Sequence, residues 1–504
     1  MTTATNTETI RPPSLVDALI PLLFMIGLLS LSIILFGIDA ATGPLQVALF
    51  MSAVVAAAVA HKNGHSWQTL GEEVVKGISL AMSAIMILIM VGALIGVWNM
   101  SGTIATIVYY GIKYIKPTWF YLAAALLTGI VGLVTGSSWT TAATLGVAFM
   151  GMAAAIGASP AITAGAIISG AYFGDKMTPL SETTILTPQI VGSDIYTHVR
   201  SMSWSAIPAY LIALILFFLI GLRQEISAPA MDTDQALAAL ASAYNITLWN
   251  LLPMVVLIGL AMRKFPAFLS ILIGALTGAL VAVILQPEVV LAFANDPSLS
   301  TPLALLKGVW LAMVNGFTAS TGYAEIDTLF SGGGMSSMLV TVWLILGAMS
   351  FGAMMDYGGF NKRLIEPVIG RVKSTGGTIA TVMVTAFGLN IVAGDQYIAI
   401  VLPARMFMLT FRERGLHPEA LATAVENSGT VTSPLIPWNS CGAYMTATLG
   451  ISTFVYLPYC FFNFINPLLG LIYGFTGFKV MRLEEGSSPT AAALGQAPLL
   501  DQRK

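Results

Sequence analysis

Continuous apolar runs, not alternation, dominate the chain. Runs long enough to cross a bilayer core, about 20 residues each, fall at 15–38, 44–60, 78–98, 118–134, 204–222, 248–262, 267–285, 336–355, 376–393 and 452–476. Barrel strands would alternate apolar and polar positions, so these runs predict helices. Four further apolar stretches, 137–157, 161–173, 395–412 and 417–430, are interrupted by Gly, Ser or Pro and are marginal for a full crossing. The pattern predicts an all-α integral membrane protein with roughly 10–14 membrane segments.

The pattern also repeats. The segment 96–118 lines up with 352–375, "TGSSW" (135–139) with "AGDQY" (393–397), and "GASPAITAGAIISG" (157–170) with "GLHPEALATAVENSG" (415–429). "TPLSETT" (178–184) faces "SPLIPWN" (433–439), and 192–208 faces 450–467, every match at an offset of about 255–259 residues. The expected organisation is a tail at 1–14, a membrane repeat at 15–222, a polar linker at 223–247, a second repeat at 248–478 and a tail at 479–504.

Charge sets the relation of the repeats. With the N-terminus inside and an odd number of crossings per repeat, thirteen of the 22 Lys and Arg fall inside and four outside, the other five lying near or within membrane segments, as the positive-inside rule asks of inverted repeats. Both tails are then cytoplasmic and the linker extracellular. Composition agrees with a membrane protein: 56% of residues are hydrophobic and 9% charged, against roughly 25% charged in soluble domains. The first apolar run is too long for a signal-peptide core and reads as the first span. A net charge of −2 without a basic block argues against nucleic acid as a partner. The two cysteines, Cys441 and Cys460, have no metal-like spacing and read as packed thiols. Four scattered histidines exclude a metal centre, and no nucleotide-binding or nucleophile motif suggests an enzyme or an ATP-driven pump.

Short, Gly/Pro-interrupted segments at corresponding places in two halves point to a transporter's binding site. In the first half, "GDKMTPLSETT" (174–184) carries Asp175, Lys176 and Glu182 with Ser181, Thr183 and Thr184. Gly170 and Gly174 weaken helix, and Pro179 stops it near Asp175. Ser181 or Thr183 is positioned to cap the next helix. "TGSSWTTA" adds Ser137, Ser138 and Thr140. The second half offers Asn390, Asp395 and Gln396, then Asn427, Ser428, Thr432, Trp438 and Asn439 around Pro434 and Pro437. Unwound backbone and hydroxyl oxygens are hard ligands suited to sodium.

Each group has a plainer reading. Asp175 with Lys176 fits a juxtamembrane pair, and Glu182 a first-turn acid on the helix dipole. "TGSSWTTA" fits small-residue helix packing, and Glu426 a helix-end acid facing water. Charges at bilayer depth are costly, and the break is matched in the other half, which favours function for Asp175 and Asp395. Asp175 is expected to take cation or proton in turn, with Lys176 compensating its charge.

"GSSWTTA", "SGAYFGDKMTPLSETT", "THVRSMSWSAIP" and "NSGTVTSPLIPWNSCGAYM" resemble the NhaC-type sodium/proton antiporter family over nearly the whole chain. The resemblance implies a bacterial inner-membrane protein of the ion-transporter fold, with two inverted repeats, a dimerising scaffold (hence a homodimer) and re-entrant hairpins at 137–173 and 395–430. Unwound segments are then expected at 175–184 and 432–440. It implies Na⁺ and H⁺ as transported ions, with the lipid bilayer as partner and no other cofactor. The chain departs from the family pattern at Glu182, where Asp is usual, and at Ile185, where Asn often stands. The family also includes exchangers of malate and lactate and carriers of amino acids. A Na⁺-linked carrier of a small organic anion or amino acid therefore stands as the alternative, with Lys176, Arg405, Asn427, Asn439 and Trp438 as its pocket.

Overall fold

The computed structural model describes residues 10–223, 233–320, 327, 330–369 and 374–483. Among them nine helices are long and apolar enough to span a membrane, or up to eleven if two bent pairs each count as one span. The expected tail residues 1–9 and 484–504 and linker residues 224–232 lie outside the described residues, as do Arg371 and Lys373.

Local chemistry sets the helix ends. Leu15–Phe36 begins with a capping box in which Ser14 and Asp17 satisfy each other's amides, and Lys62 reaches Asp17 at 2.7 Å to tie the next helix to it. Its outer face, including Val16, Leu23 and Ile34, is exposed, as lipid contact requires of a continuously apolar surface. The run at 248–262 is a short 3₁₀ turn followed by Leu252–Met262, bent by 86° against Leu237–Ala243. The linker is thus partly structured: Thr233–Ala243 is helical, and Ala239, Leu240 and Tyr244 are buried. The last run bends by 57° between Thr453–Tyr459 and Phe461–Thr476.

The duplication is written in the backbone. Met82–Met100 recurs as Leu339–Tyr357, 257 residues on. Pro160, Glu182 and Ile195 open helices that recur at Pro418, Ser440 and Thr453, each 258 residues on. Glycines with positive φ follow the same spacing: Gly136 and Gly394, Gly157 and Gly415, Gly192 and Gly450. This spacing corrects one sequence match. "TPL" and "SPL" are alike but not equivalent; Pro179 corresponds to Pro437 and Ser181 to Asn439, since these prolines precede the residues that occupy the next helix's N-cap.

Contacts between repeats are reciprocal. Pro44–Lys62 packs on Leu339–Tyr357, and its counterpart Thr301–Asn315 packs on Met82–Met100, which is the signature of a pseudo-twofold relation. The chain is an all-helical membrane protein of two inverted repeats, with broken helices in each.

Candidate functional site

In each repeat a helical hairpin precedes a break. The first runs up Ser138–Ile156, turns at Gly157 (φ +70°) and returns along Pro160–Lys176. The second runs along Gln396–Glu413, turns at Gly415 (φ +65°) and returns along Pro418–Val425 into a π-helical turn, Glu426–Thr430. Helix does not stop at Gly170 or Gly174. A Cβ at Gly170 would come within 2.2 Å of the Ala125 carbonyl, and one at Gly174 within 2.4 Å of the Gly129 carbonyl. These glycines let the hairpin pack backbone to backbone on Phe120–Thr135.

The first break spans 177–181, and helix resumes at Glu182. Ser181 holds the N-cap position, but its hydroxyl pairs with Thr183 Oγ1 at 3.1 Å and caps no amide. Asp175 is buried, and Oδ2 accepts from the Ser138 amide at 3.1 Å and its hydroxyl at 2.7 Å. The mouth of hairpin 1 and the end of its return arm thus meet at one carboxylate oxygen. Ser137 caps the hairpin's first turn, accepting from the Thr140 amide at 3.2 Å. Thr184 binds only backbone, the Lys176 carbonyl at 3.3 Å.

The second half repeats this layout with other groups. Gln396 and Ser433 occupy the positions equivalent to Ser138 and Asp175, and the Ser433 hydroxyl donates to Gln396 Oε1 at 3.0 Å. Cys441, expected to be a packed thiol, joins them, donating to the same oxygen at 2.8 Å. Asp395 is the N-cap of Gln396–Glu413: Oδ1 accepts from the amides of Tyr397 (2.8 Å) and Ile398 (3.2 Å), and Ser440 donates to Oδ2 at 3.2 Å. Asn390 donates to the Gly429 carbonyl (2.7 Å) and Thr432 Oγ1 (3.0 Å), and accepts from Asn439 at 3.1 Å. Trp438 and Ser428 reach only carbonyls, of Ile391 (2.7 Å) and Met383 (2.6 Å).

Several contacts cross the repeats. Tyr397 donates to Glu182, which is exposed and stands apart from Asp175 at the rim of the break. Thr187 donates to Glu426 Oε1 at 2.6 Å, and Thr430 donates to Oε2. Ser205 donates to Asn427 at 3.1 Å. Glu419 is fully buried and takes Ser193 (2.7 Å), Thr423 (2.9 Å) and His198 (2.7 Å).

Lys176 forms no ion pair with the neighbouring Asp175 among the described residues. Successive helix residues point about 100° apart, and the carboxylates whose charge reaches this fully buried ammonium are Glu426 and Glu419. Its Nζ makes no hydrogen bond among the described residues. Arg405 is exposed, which removes it from any enclosed pocket.

Sequence reasoning therefore missed the Glu419–His198 pair and Thr187, and left Glu426 undecided. Glu419, Thr423, Glu426 and Thr430 lie at helical spacing on one face of 417–430, and that polar stripe was a usable signal. Their partners on 187–205 are distant in sequence and left none.

Two inverted repeats, each with a hairpin and a break that bring buried polar groups to a common interface, define a secondary transporter. A profile of the Na⁺/H⁺ antiporter family matches residues 3–186 and 170–478. The chain is 36% identical to the Na⁺/H⁺ antiporter NhaC of Alkalihalophilus pseudofirmus over 82% of its own length and 86% of that protein's. It is 34% identical to the arginine/ornithine antiporter ArcD of Halobacterium salinarum, covering 96% of both chains. To the malate-2H⁺/Na⁺-lactate antiporter of Bacillus subtilis it is 33% identical, over 96% of this chain and 99% of that one. The protein belongs to the Na⁺/H⁺ antiporter family.

Proposed function

We propose that the protein exchanges Na⁺ for H⁺ by alternating access, with Asp175 as the carboxylate that takes either ion. The observation that carries this reading is the buried Asp175, which Ser138 and Ser181 hold at the meeting of hairpin and break. One oxygen accepts two hydrogen bonds, and a carboxylate has about four acceptor sites, so capacity remains for a cation or a proton but not easily for both. Hydroxyls at Ser137, Thr140, Ser181 and Thr183 supply neutral oxygen nearby in the chain. Asn390, Gln396, Asn427, Thr432 and Asn439 do so in the other half. Asp395 holds hairpin 2 in shape, and Glu182 with Tyr397 closes the rim of the break.

In the cycle, the hairpins and broken helices move against the helices that pack reciprocally across the repeats. Those scaffold helices also form the dimer contact. The protein sits in a bacterial inner membrane with both termini cytoplasmic and the linker outside, and it needs no cofactor beyond the ions it carries. Na⁺ added to everted vesicles collapses an imposed ΔpH if this reading holds; vesicles that keep their gradient refute it.

A second reading has support of its own. Relatives that carry arginine and ornithine, or malate and lactate, align over 96% of the chain, and the Lys176 ammonium is buried without a hydrogen-bond partner, as a site for a carboxylate cargo would need. Uptake of labelled malate, lactate and arginine into proteoliposomes, with and without a Na⁺ gradient, separates the two.

A further inference from the structure

We infer that Glu426, Thr187 and Thr430 form a second seat for a monovalent cation where the two repeats meet, with the Lys176 ammonium as its resident counter-charge. The inference rests on the antiport reading, since it takes the cargo to be a cation. Glu426 is fully buried, and each of its oxygens accepts one hydroxyl, Oε1 from Thr187 of the first repeat and Oε2 from Thr430 of the second. A donating hydroxyl keeps its own lone pairs. The group therefore presents carboxylate and hydroxyl oxygens together, the hard ligands that alkali and alkaline-earth cations prefer. It lies in the π-helical turn Glu426–Thr430, a local widening often found at functional positions.

Lys176 supplies the second observation. It is fully buried, and none of its three donors finds a partner among the described residues. Glu419, the other carboxylate that faces it, is already engaged by Ser193, His198 and Thr423. Glu426 is thus the less engaged of the two carboxylates whose charge reaches the ammonium, and Lys176 fills none of its ligand positions. Asp175 also feels Glu426, so the buried carboxylates here, Asp175, Glu419 and Glu426, outnumber the one ammonium, and an added monovalent cation reduces that excess. The seat joins the hairpin of one repeat to the broken helix of the other, so it travels with the part that moves.

The geometry requires opposite effects from its two charged members. Removing Glu426 weakens Na⁺ binding, and removing Lys176 tightens it by relieving repulsion. The test is ²²Na⁺ binding to the purified full-length protein at fixed pH, beside Na⁺-evoked ΔpH collapse in vesicles. Glu426→Gln should raise the Na⁺ half-saturation by about tenfold or more, the loss expected of a charged ligand. Glu426→Asp should recover part of it, and Lys176→Met should lower the half-saturation several-fold at unchanged pH. Thr187→Val, which keeps the shape, should raise it by a smaller factor and serves if Glu426→Gln does not fold. Unchanged half-saturation in folded Glu426→Gln and Thr187→Val, with wild-type antiport intact, overturns the seat and leaves the antiport reading standing. A wild-type protein that binds no Na⁺ removes both.

Discussion

The two repeats place a polar pair at equivalent positions and give it different chemistry. In the first, Ser138 donates to Asp175; 258 residues on, Ser433 donates to Gln396. Donor and acceptor have changed ends, and the charge is gone. The second repeat does carry a carboxylate, Asp395, but it is taken up by two helix amides and Ser440. Lys176 has Pro434 as its counterpart. Duplication thus supplied one backbone device twice, with a buried carboxylate at Asp175 of the first repeat and a hydroxyl, Ser433, at the equivalent place in the second.

Substitutions that treat both repeats alike test this asymmetry. Asp175→Asn keeps size and some hydrogen bonding but removes the charge, and should cut Na⁺-evoked antiport by at least about tenfold with the protein still folded by thermal shift. Asp395→Asn should retain most transport, because Asn caps a helix about as well as Asp, whereas Asp395→Ala should cost about 1 kcal/mol of stability. Loss of transport in Asp395→Asn at full stability would make the second repeat an equal ion binder. Tyr397→Phe, which frees Glu182, should change the Na⁺ half-saturation by a small factor only, since that contact lies at an exposed rim.

The paired glycines give a smaller contrast. Both occupy left-handed backbone, at a cost of roughly 1–2 kcal/mol for another residue. A Cβ at Gly136 also meets Leu180 beside the first break, at 2.7 Å from its Cβ and 2.9 Å from its carbonyl carbon, whereas one at Gly394 meets mainly the Ala348 methyl. Gly136→Ala should therefore lower the melting temperature more than Gly394→Ala. The smallest effect belongs to a surface pair. Lys307, 2.8 Å away, holds Asp296 down at about 2, so what the pair contributes is present above the ordinary carboxylate range and fades only as pH falls toward 2. Lys307→Ala should leave the pH profile of transport unchanged from neutral to alkaline pH.

Much of this fold was legible because membrane helices announce themselves by length and apolarity, and because Pro179 and Pro437 must interrupt them. The duplication was legible too, although the likeness of "TPL" to "SPL" shifted its register by three residues at the break. The site was half legible. Asp175 and Ser138 stood in conspicuous motifs, and Asp395 stood in one as well, but no sequence pattern separates a carboxylate that caps its own helix, as Asp395 does, from one that reaches a neighbouring hairpin, as Asp175 does. Side-chain direction decided the rest: Lys176 adjoins Asp175 in the chain but is buried without a hydrogen-bond partner among the described residues.

The most direct test is Na⁺-evoked collapse of ΔpH in everted vesicles carrying wild type, Asp175→Asn or Asp395→Asn at matched expression. The asymmetric site predicts collapse with wild type and Asp395→Asn and a preserved gradient with Asp175→Asn. A wild-type response from Asp175→Asn contradicts it.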